Sequence, residues 1–191
     1  MCVAAVAHRK FRHSSIMRGV WVLIVLFFSV SCSGAPSDEL HTVYLVRHAE
    51  KAADGSKDPA LTACGRKRAQ SLAQFFRAVE LDAIYSSDYR RTRETALPIA
   101  AAQDIKLGFY NPAELIAFAL LLRELKRDVL VVGHSNTTAE LAGLLIDDSN
   151  YGSFEESVYD RIYQVVLTDS GGRNHLLHQN FRCIESLPLP D

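Results

Sequence analysis

Residues 129–137 read VLVVGHSNT, an apolar run that is followed at once by polar residues. A run of apolar residues without alternation is typical of a strand buried on both faces, as in a parallel sheet. Open sheets of this kind bind ligands outside the carboxyl ends of their strands. The sequence therefore predicts a buried parallel strand over 129–133, with His134 presented at its carboxyl end and a helix over 137–146.

The rest of the chain alternates between strand and helix patterns in the same way. Further strands are predicted over 42–46, 83–87, 105–109, 163–168 and 176–181. Further helices are predicted over 62–79, 88–102 and 112–126, the second of them disturbed near Pro98. Strands that alternate with helices indicate an α/β domain. We expect a single three-layer domain, with a mostly parallel central sheet flanked by helices.

The composition excludes several classes of protein. Of the 191 residues, 48% are hydrophobic and 23% are charged, which excludes a disordered chain and a polytopic membrane protein. The chain holds 21 Lys and Arg against 22 Asp and Glu, a net charge of −1. This balance gives no electrostatic reason to expect a nucleic-acid partner.

The N-terminal region has the pattern of an export signal. Four basic residues precede a 13-residue run without charge, Gly19 to Ser31. A helix of that length is about 20 Å long, short of the ~30 Å hydrocarbon core, so a signal peptide is favoured. An uncleaved anchor helix is the alternative. We expect a signal peptide over 1–32, with Met17 as an alternative start, and export to the periplasm or cell envelope.

The end of this apolar run resembles a bacterial lipoprotein cleavage box, because small residues stand directly before Cys32. Lipid on Cys32 would then be the one contact of the mature protein with a membrane. A short polar linker over 33–40, a domain over 41–185 and a tail over 186–191 complete the predicted organisation. An exported domain could join Cys64 to Cys183, but the sequence cannot show whether the two meet, and two free buried thiols are the alternative. No Cys/His cluster indicates a metal site.

Two further motifs follow predicted strands, as His134 does. Arg47 and His48 follow the strand over 42–46, where a histidine can act as a nucleophile and an arginine can hold its anionic target. The alternative is a surface pair at a strand end. The segment 86–96, SSDYRRTRETA, places three arginines at a helix start, which is unfavourable unless an anion lies nearby. The alternative is a solvated basic face paired with Glu94.

The third motif is GHSNT, residues 133–137, at the end of the strand over 129–133. Gly133 allows a ligand or another backbone to come close, and the amides of Ser135 and Asn136 open toward a phosphate. The alternative is a capped helix beside a structural histidine.

Together the three motifs are more specific than each is alone. The order RHAE, SSDYRRTRETA and VLVVGHSNT resembles the histidine phosphatase superfamily, which has the phosphoglycerate mutase-like fold. The resemblance extends over 42–182. It implies that His48 is the nucleophile that takes the phosphoryl group. It also implies that the phosphate is held by Arg47, Arg91, His134, Ser135 and Asn136. The resemblance implies no metal and no cofactor, because arginine and histidine supply the positive charge.

Departures from the family pattern narrow this interpretation. Ser135 stands where the acid phosphatase branch carries an aspartate, and no asparagine follows Glu50 as it does in the mutases. Only 25 residues, 104–128, separate the second helix from the strand over 129–133, which leaves no room for a large cap. The chain therefore resembles the small, open members, such as phosphohistidine protein phosphatases and exported sugar-phosphate phosphatases.

The acid that protonates the leaving group has four candidates, namely Glu50, Asp58, Glu114 and Glu140. The resemblance favours Glu114, which lies in the segment after the pocket arginine. The alternative is that Glu114 is an acid in a first helical turn, where it is favourable for dipole reasons.

We therefore expect an exported, lipid-anchored phosphatase that acts through phospho-His48. Its partner would be a phosphorylated small molecule, glycan or phosphoprotein. Two alternatives remain. One is a non-enzymatic envelope lipoprotein that binds phosphate or phosphorylated glycans, and the other is a phosphoglycerate mutase.

Overall fold

The computed structural model describes residues 39–148, 150, 152 and 155–183. These residues form six strands and four α-helices that alternate along the first part of the chain. The strands are β1 (His41–Arg47), β2 (Ala83–Ser87), β3 (Leu107–Tyr110), β4 (Val129–Gly133), β5 (Arg161–Thr168) and β6 (Gly171–His178). The helices are α1 (Ala63–Phe75), α2 (Arg90–Gln103), α3 (Leu115–Leu125) and α4 (Ser135–Leu145), and a short 3₁₀ helix, Phe76–Ala78, follows α1.

The strands form one sheet in the order β3-β2-β4-β1-β5-β6. Strands β1, β2, β3 and β4 run parallel to one another, whereas β5 pairs antiparallel with β1 and β6 pairs antiparallel with β5. The register sets Arg47 opposite Gly133, and Ser86 opposite Val132. The carboxyl ends of β1, β2 and β4 therefore lie side by side, which brings the three sequence motifs to one edge.

The core lies on both faces of the sheet, because side chains of a strand alternate between its faces. On one face, Leu45 and Val131 pack in a buried cluster with residues of α3 and α4. On the other, Val46 and Leu130 pack with residues of α1 and α2, including Leu72. All five residues of β4 are buried. The structure thus confirms the predicted α/β domain with three layers and a mostly parallel sheet.

Several element bounds differ from the predicted ones. Helix α3 begins at Leu115 rather than at residue 112, because Asn111 forms a turn that accepts the backbone N–H groups of Ala113 and Glu114. Helix α4 begins two residues earlier than predicted, at Ser135. Strand β6 starts at Gly171 and ends at His178, five and three residues before the predicted bounds.

Helix α2 continues through Pro98, where the sequence predicted a disturbance. Proline removes one backbone hydrogen bond from the helix. The two residues that follow, Ile99 and Ala100, are buried in the core and hold this part of the helix against the sheet.

Cys64 and Cys183 form a disulfide, with 5.8 Å between their Cα atoms, so the pairing that the sequence left open is present. Among the described residues, no helix has both the length and the apolar character needed to cross a bilayer. The predicted signal peptide with Met17 and Cys32, linker residues 33–38 and the predicted tail over 186–191 lie outside the described residues.

Candidate active site

Two histidines meet at the carboxyl edge of the sheet. His48 directly follows β1, and His134 directly follows β4. The backbone N–H of His48 donates to the carbonyl of Gly133 at 2.9 Å, which ties the two strand ends together. The centroids of the two imidazole rings are 5.6 Å apart. The structure therefore brings together two of the residues that the sequence analysis assigned to one site.

His48 is held as a neutral imidazole with one free ring nitrogen. Its side chain is buried, and its Nδ1 lies 2.8 Å from the carbonyl oxygen of Ala49. A carbonyl only accepts, so Nδ1 carries the proton and Nε2 keeps its lone pair. Burial, together with repulsion from Arg47, His134 and Arg91, lowers the pKa of His48 to about 3. An uncharged imidazole with a free lone pair is a nucleophile at neutral pH.

A chain of hydroxyl groups orients His134. The Ser87 Oγ donates to the Thr92 Oγ1 at 3.1 Å, and the Thr92 hydroxyl donates in turn to the backbone carbonyl of Ser87. Because the Ser87 hydroxyl hydrogen points at Thr92, the Ser87 Oγ acts as the acceptor toward His134. The Nε2–H of His134 donates to it at 2.9 Å. The proton of His134 thus lies on Nε2, and Nδ1 accepts from the Arg91 Nη2 at 3.3 Å.

Electrostatics keep His134 neutral as well. Burial and the positive charges of Arg91, Arg47 and Lys51 lower its pKa to about 4. A dianion bound beside these groups would offset their repulsion and favour protonated His134. The second histidine can therefore gain a proton when a phosphorylated ligand binds.

Arg47 is fixed by backbone carbonyls. Its Nη1 donates to the carbonyls of Glu155, Glu156 and Val158 at 2.9–3.1 Å, and its Nη2 donates to the Glu156 carboxylate at 2.8 Å. The Tyr159 ring lies 4.2 Å from the guanidinium carbon. The Nε of Arg47 is buried and has no hydrogen-bond partner within the described part of the chain. One donor of a rigidly held cation is thus left for a ligand.

Arg91, at the start of α2, resembles Arg47 in that neighbouring side chains contact its guanidinium. Its Nη1 lies 3.6 Å from Asp58, and its guanidinium carbon lies 4.6 Å from the Tyr89 ring centroid. Its Nε is also buried without a partner among residues 39–148, 150, 152 and 155–183. A buried donor left unpaired costs about 1–3 kcal/mol, and an anion removes that cost. Two such donors beside two neutral histidines fit a phosphoryl group.

The other two arginines of the motif are paired with carboxylates on the surface. Arg90 donates to Glu94 at 2.8 Å, and Arg93 pairs with Asp88. Arg91 is the arginine of the motif that contacts His134, and its role in phosphate binding stays a prediction.

The side chains of the two polar residues predicted to bind phosphate, at the start of α4, have different surroundings. Ser135 donates its hydroxyl to the Glu156 carboxylate at 3.1 Å, while Asn136 is exposed to solvent. Their part in phosphate binding stays a prediction.

The four candidate acids have distinct surroundings. Glu50 is engaged by Arg68 through hydrogen bonds of 2.6–3.0 Å. Asp58 lies beside Arg91 and accepts the backbone N–H of Arg90 at 2.8 Å. Glu114 caps α3, and both it and Glu140 are exposed. The role of Glu114 as proton donor stays a prediction, and Asp58 lies 3.6 Å from Nη1 of the pocket residue Arg91.

Sequence reasoning missed three residues that shape the site. Ser87 was noted only as part of a motif, although its place at the last position of β2 could have indicated contact with His134. Glu156 and Tyr159 precede β5 and contact Arg47, and the Tyr159 ring centroid lies 6.2 Å from that of His48. No sequence pattern marks them, because they reach the site through the antiparallel pairing of β5 with β1.

Comparisons with known proteins find a family match over part of the chain. Residues 43–111 match the model of the histidine phosphatase superfamily (branch 1). The chain is 38% identical over 104 residues to the probable phosphoglycerate mutase GpmB of Citrobacter koseri, covering 51% of this chain and 44% of that protein. It is 44% identical over 69 residues to phosphoserine phosphatase 1 of Hydrogenobacter thermophilus, covering 33% of each. The aligned segments thus span less than half the length of these relatives.

The fold is shared with a solved phosphatase. The structure of the protein histidine phosphatase SixA complexed with tungstate matches with a TM-score of 0.61 and 18% identity, over 72% of this chain and 97% of that one. The match to the family model covers residues 43–111, and the likeness to this solved structure shows that the described domain shares its fold.

Proposed function

We propose that this protein is a phosphatase that hydrolyses a phosphomonoester, or a similar phosphorylated group, through a phosphohistidine on His48. One observation carries the proposal: a neutral, buried His48 with a free Nε2 lies beside Arg47 and Arg91, each of which keeps an unpaired Nε–H within the described residues. That arrangement provides a nucleophile and the positive charge that a transferring phosphoryl group requires.

In the first step, Nε2 of His48 attacks phosphorus and the bond between phosphorus and the leaving oxygen breaks. Arg47 and Arg91 stabilise the charge that spreads over the equatorial oxygens. The Nδ1–H of His48 keeps donating to the Ala49 carbonyl, which stabilises the positive charge that forms on the ring. The leaving oxygen takes a proton from an acid, for which Glu114, Asp58 and protonated His134 are the candidates.

In the second step, water attacks the phosphorus of phospho-His48. The bond from nitrogen to phosphorus breaks, inorganic phosphate forms, and His48 returns to its neutral form. The water loses one proton, which restores the acid that was used in the first step. The reaction thus consumes one water and releases the alcohol and phosphate.

The substrate class follows from the site and from the similar proteins. Two of these are named as a phosphoserine phosphatase and a protein histidine phosphatase, which supports a phosphorylated small molecule or a phosphoprotein as the substrate. A phosphorylated glycan has the same monoester chemistry. The segment from Asp104 to Asp128 is occupied by β3 and α3 and adds no long cap, which favours hydrolysis over the retention of an intermediate that a mutase needs.

A substrate panel tests the proposal. The full-length protein is incubated with aryl phosphate, sugar phosphates, phosphoserine and phosphohistidine peptides, and 3-phosphoglycerate. Release of inorganic phosphate, absent in His48→Ala, would support a phosphatase. Conversion of 3-phosphoglycerate to its isomer without net phosphate release would indicate a mutase. Phosphate binding without turnover of any substrate would indicate the non-enzymatic lipoprotein.

We further propose that the protein is exported and anchored by lipid on Cys32. The uncharged run from Gly19 to Ser31 and the small residues before Cys32 support this. Wild type expressed in a Gram-negative bacterium should incorporate labelled fatty acid and sediment with membranes. Cys32→Ser should incorporate none, and equal labelling of the variant would refute lipidation at this residue.

A further inference from the structure

A buried ion pair lies directly behind the loop that carries His48. Arg68, on α1, is 7% exposed, and its Nε and Nη2 donate to the Glu50 carboxylate at 2.6–3.0 Å. Glu50 is two residues after His48. Because two nitrogens of the buried guanidinium donate to one carboxylate, the geometry of the ion pair is fixed. The ion pair therefore restrains Glu50, at the end of the loop that carries His48.

The C-terminal segment of the described domain holds Arg68 from the other side. The Gln179 side chain accepts from the Arg68 Nη1 at 3.2 Å and donates to the Arg68 carbonyl at 3.4 Å. The Phe181 ring lies 4.7 Å from the guanidinium carbon. Gln179 is itself buried. The orientation of Arg68 therefore depends on where this segment lies.

The disulfide fixes the same segment to the same helix. Cys64 precedes Arg68 by four residues on α1, and Cys183 follows Gln179 by four residues. Positions four apart share one face of a helix, so the disulfide and the guanidinium are neighbours. Cys183 is exposed, which leaves the disulfide open to a reductant.

Glu50 is connected to the His48 ring through one peptide unit. The Ala49 carbonyl, which accepts the Nδ1 proton of His48, belongs to the planar peptide bond between Ala49 and Glu50. The Glu50 carbonyl accepts the backbone N–H of Thr62 at 2.9 Å, and a Cβ added at Gly65 would overlap that carbonyl. A shift of Glu50 therefore rotates the peptide that sets the tautomer and direction of the His48 ring.

We propose that Arg68 is a positioning residue for His48 and that the Cys64–Cys183 disulfide maintains it, so that reduction of the disulfide slows phosphoryl transfer. This inference rests on the proposed phosphatase function. A dithiol reductant converts the disulfide to two thiols and is itself oxidised to a disulfide. The segment from Gln179 to Cys183 then loses its covalent tie to α1, and Arg68 loses the partners that direct it at Glu50.

Variants of Arg68 test the positioning role. Arg68→Met removes the charge, Arg68→Lys keeps it, and Lys67→Met is the matched control, because Lys67 is an exposed neighbour on α1. We expect Arg68→Met to lower the single-turnover rate constant of His48 phosphorylation about tenfold or more, since misplacement by about 1 Å can cost 100-fold. Arg68→Lys should recover part of the loss, and Lys67→Met should behave as wild type.

Two readouts separate positioning from loss of folded protein. The inhibition constant for inorganic phosphate should stay within about threefold in Arg68→Met, because phosphate is held by Arg47 and Arg91 rather than by Nε2. The amount of phosphoenzyme per mole of total protein should also be unchanged while its rate of formation falls. A lower amount with an unchanged rate would mean that Arg68 serves only stability, and the inference would be wrong.

Reduction of the wild-type protein tests the disulfide. Treatment with a dithiol should lower the same rate constant, and the double variant Cys64→Ser, Cys183→Ser should start at the reduced rate and show no response. An unchanged rate in both would overturn the inference. If wild type forms no phosphohistidine at all, the proposed function fails instead. The NMR signal of the His48 Nδ1 proton then decides the inference: it should be protected in the oxidised protein and exchange faster after reduction, and unchanged protection would overturn it.

Discussion

The Ser87 Oγ lies 2.9 Å from Nε2 of His134, and this contact determines which nitrogen of that histidine faces Arg91. The Ser87 hydroxyl donates its hydrogen bond to Thr92, so its Oγ accepts the hydrogen bond from the Nε2–H of His134. Nδ1 is then free to accept from Arg91 in the resting protein, or to carry a proton toward a bound phosphoryl group. One serine at the end of β2 thus links the second motif of the sequence to the third.

Substitution of Ser87 should therefore lower kcat more than substitution of Ser86, which is equally buried. Ser87→Ala leaves the Nε2 proton of His134 without an acceptor, and we expect kcat to fall about tenfold or more, by analogy with the loss of other orienting hydrogen bonds. Ser86→Ala is the control, because Ser86 is equally buried and donates only to the backbone carbonyl of Ser87. Equal kcat values for the two variants would show that Ser87 does not orient His134.

The two site histidines should stay neutral across the physiological range. The pKa values of about 3 for His48 and about 4 for His134 lie below the ordinary 6.5, so the folded protein resists protonation of both rings between pH 8 and pH 5. NMR of labelled histidine in phosphate-free buffer should show no change in the ring signals of His48 and His134 over this range. Titration of His48 near pH 6.5 would contradict the assigned nucleophile state.

The same shifts predict how stability depends on pH. Between pH 6.5 and the lowered folded pKa values, the unfolded chain binds more protons than the folded one, so stability falls as pH decreases. Each group contributes up to about 1.4 kcal/mol per pH unit over its window. His48→Ala should therefore show a smaller loss of unfolding free energy than wild type between pH 6.5 and pH 4, as measured by urea denaturation.

A methyl group at Gly133 should disturb the site and the fold together. A Cβ there would lie 2.8 Å from the Tyr110 hydroxyl, 3.0 Å from the Thr138 Oγ1 and 3.1 Å from the Thr137 Oγ1. Gly133→Ala should cost about 1–3 kcal/mol in the free energy of unfolding, the usual range for overpacking. It should also lower kcat, because His134 is the next residue. Gly152→Ala is the control, since a Cβ at that position meets no atom within 4 Å.

The proton donor can be identified by comparing leaving groups. A positioned acid is worth about 100- to 10,000-fold when the leaving group is poor, and less when it is a good one such as phenolate. Glu114→Gln, Asp58→Asn and the control Glu140→Gln should be compared on an aryl and an alkyl phosphate. If Glu114 is the donor, its variant loses about 100-fold or more on the alkyl ester and little on the aryl ester. Equal losses on both esters would mean that Glu114 only shapes the pocket. The loss confined to the alkyl ester would then be expected in Asp58→Asn.

The sequence predicted the parallel part of the sheet well because the signals there are local. The apolar run over 129–133 and the polar residues after it are contiguous, and β4 has the predicted bounds. The same holds for β2, whose bounds also match. The positions of His48, Arg91 and His134 follow from these strand ends, since parallel strands bring their carboxyl ends to one edge.

The rest of the site could not be predicted because it depends on long-range pairing. Glu156 and Tyr159 reach Arg47 only because β5 lies antiparallel beside β1, more than 100 residues away along the chain. The pairing of Cys64 with Cys183 likewise requires the fold to bring α1 next to the end of the domain. Residues that meet only through tertiary contact leave no periodicity in the sequence.

Trapping of the phosphoenzyme tests directly whether His48 takes the phosphoryl group. The full-length protein is mixed with a radiolabelled phosphomonoester that it hydrolyses and quenched within milliseconds in alkaline denaturant. We expect one acid-labile, alkali-stable phosphoryl group per protein, located on His48. The label should be absent from His48→Ala and present in the control His175→Ala, which alters an exposed histidine of β6. Near wild-type turnover by folded His48→Ala, or label on any other residue, would show that His48 is not the nucleophile.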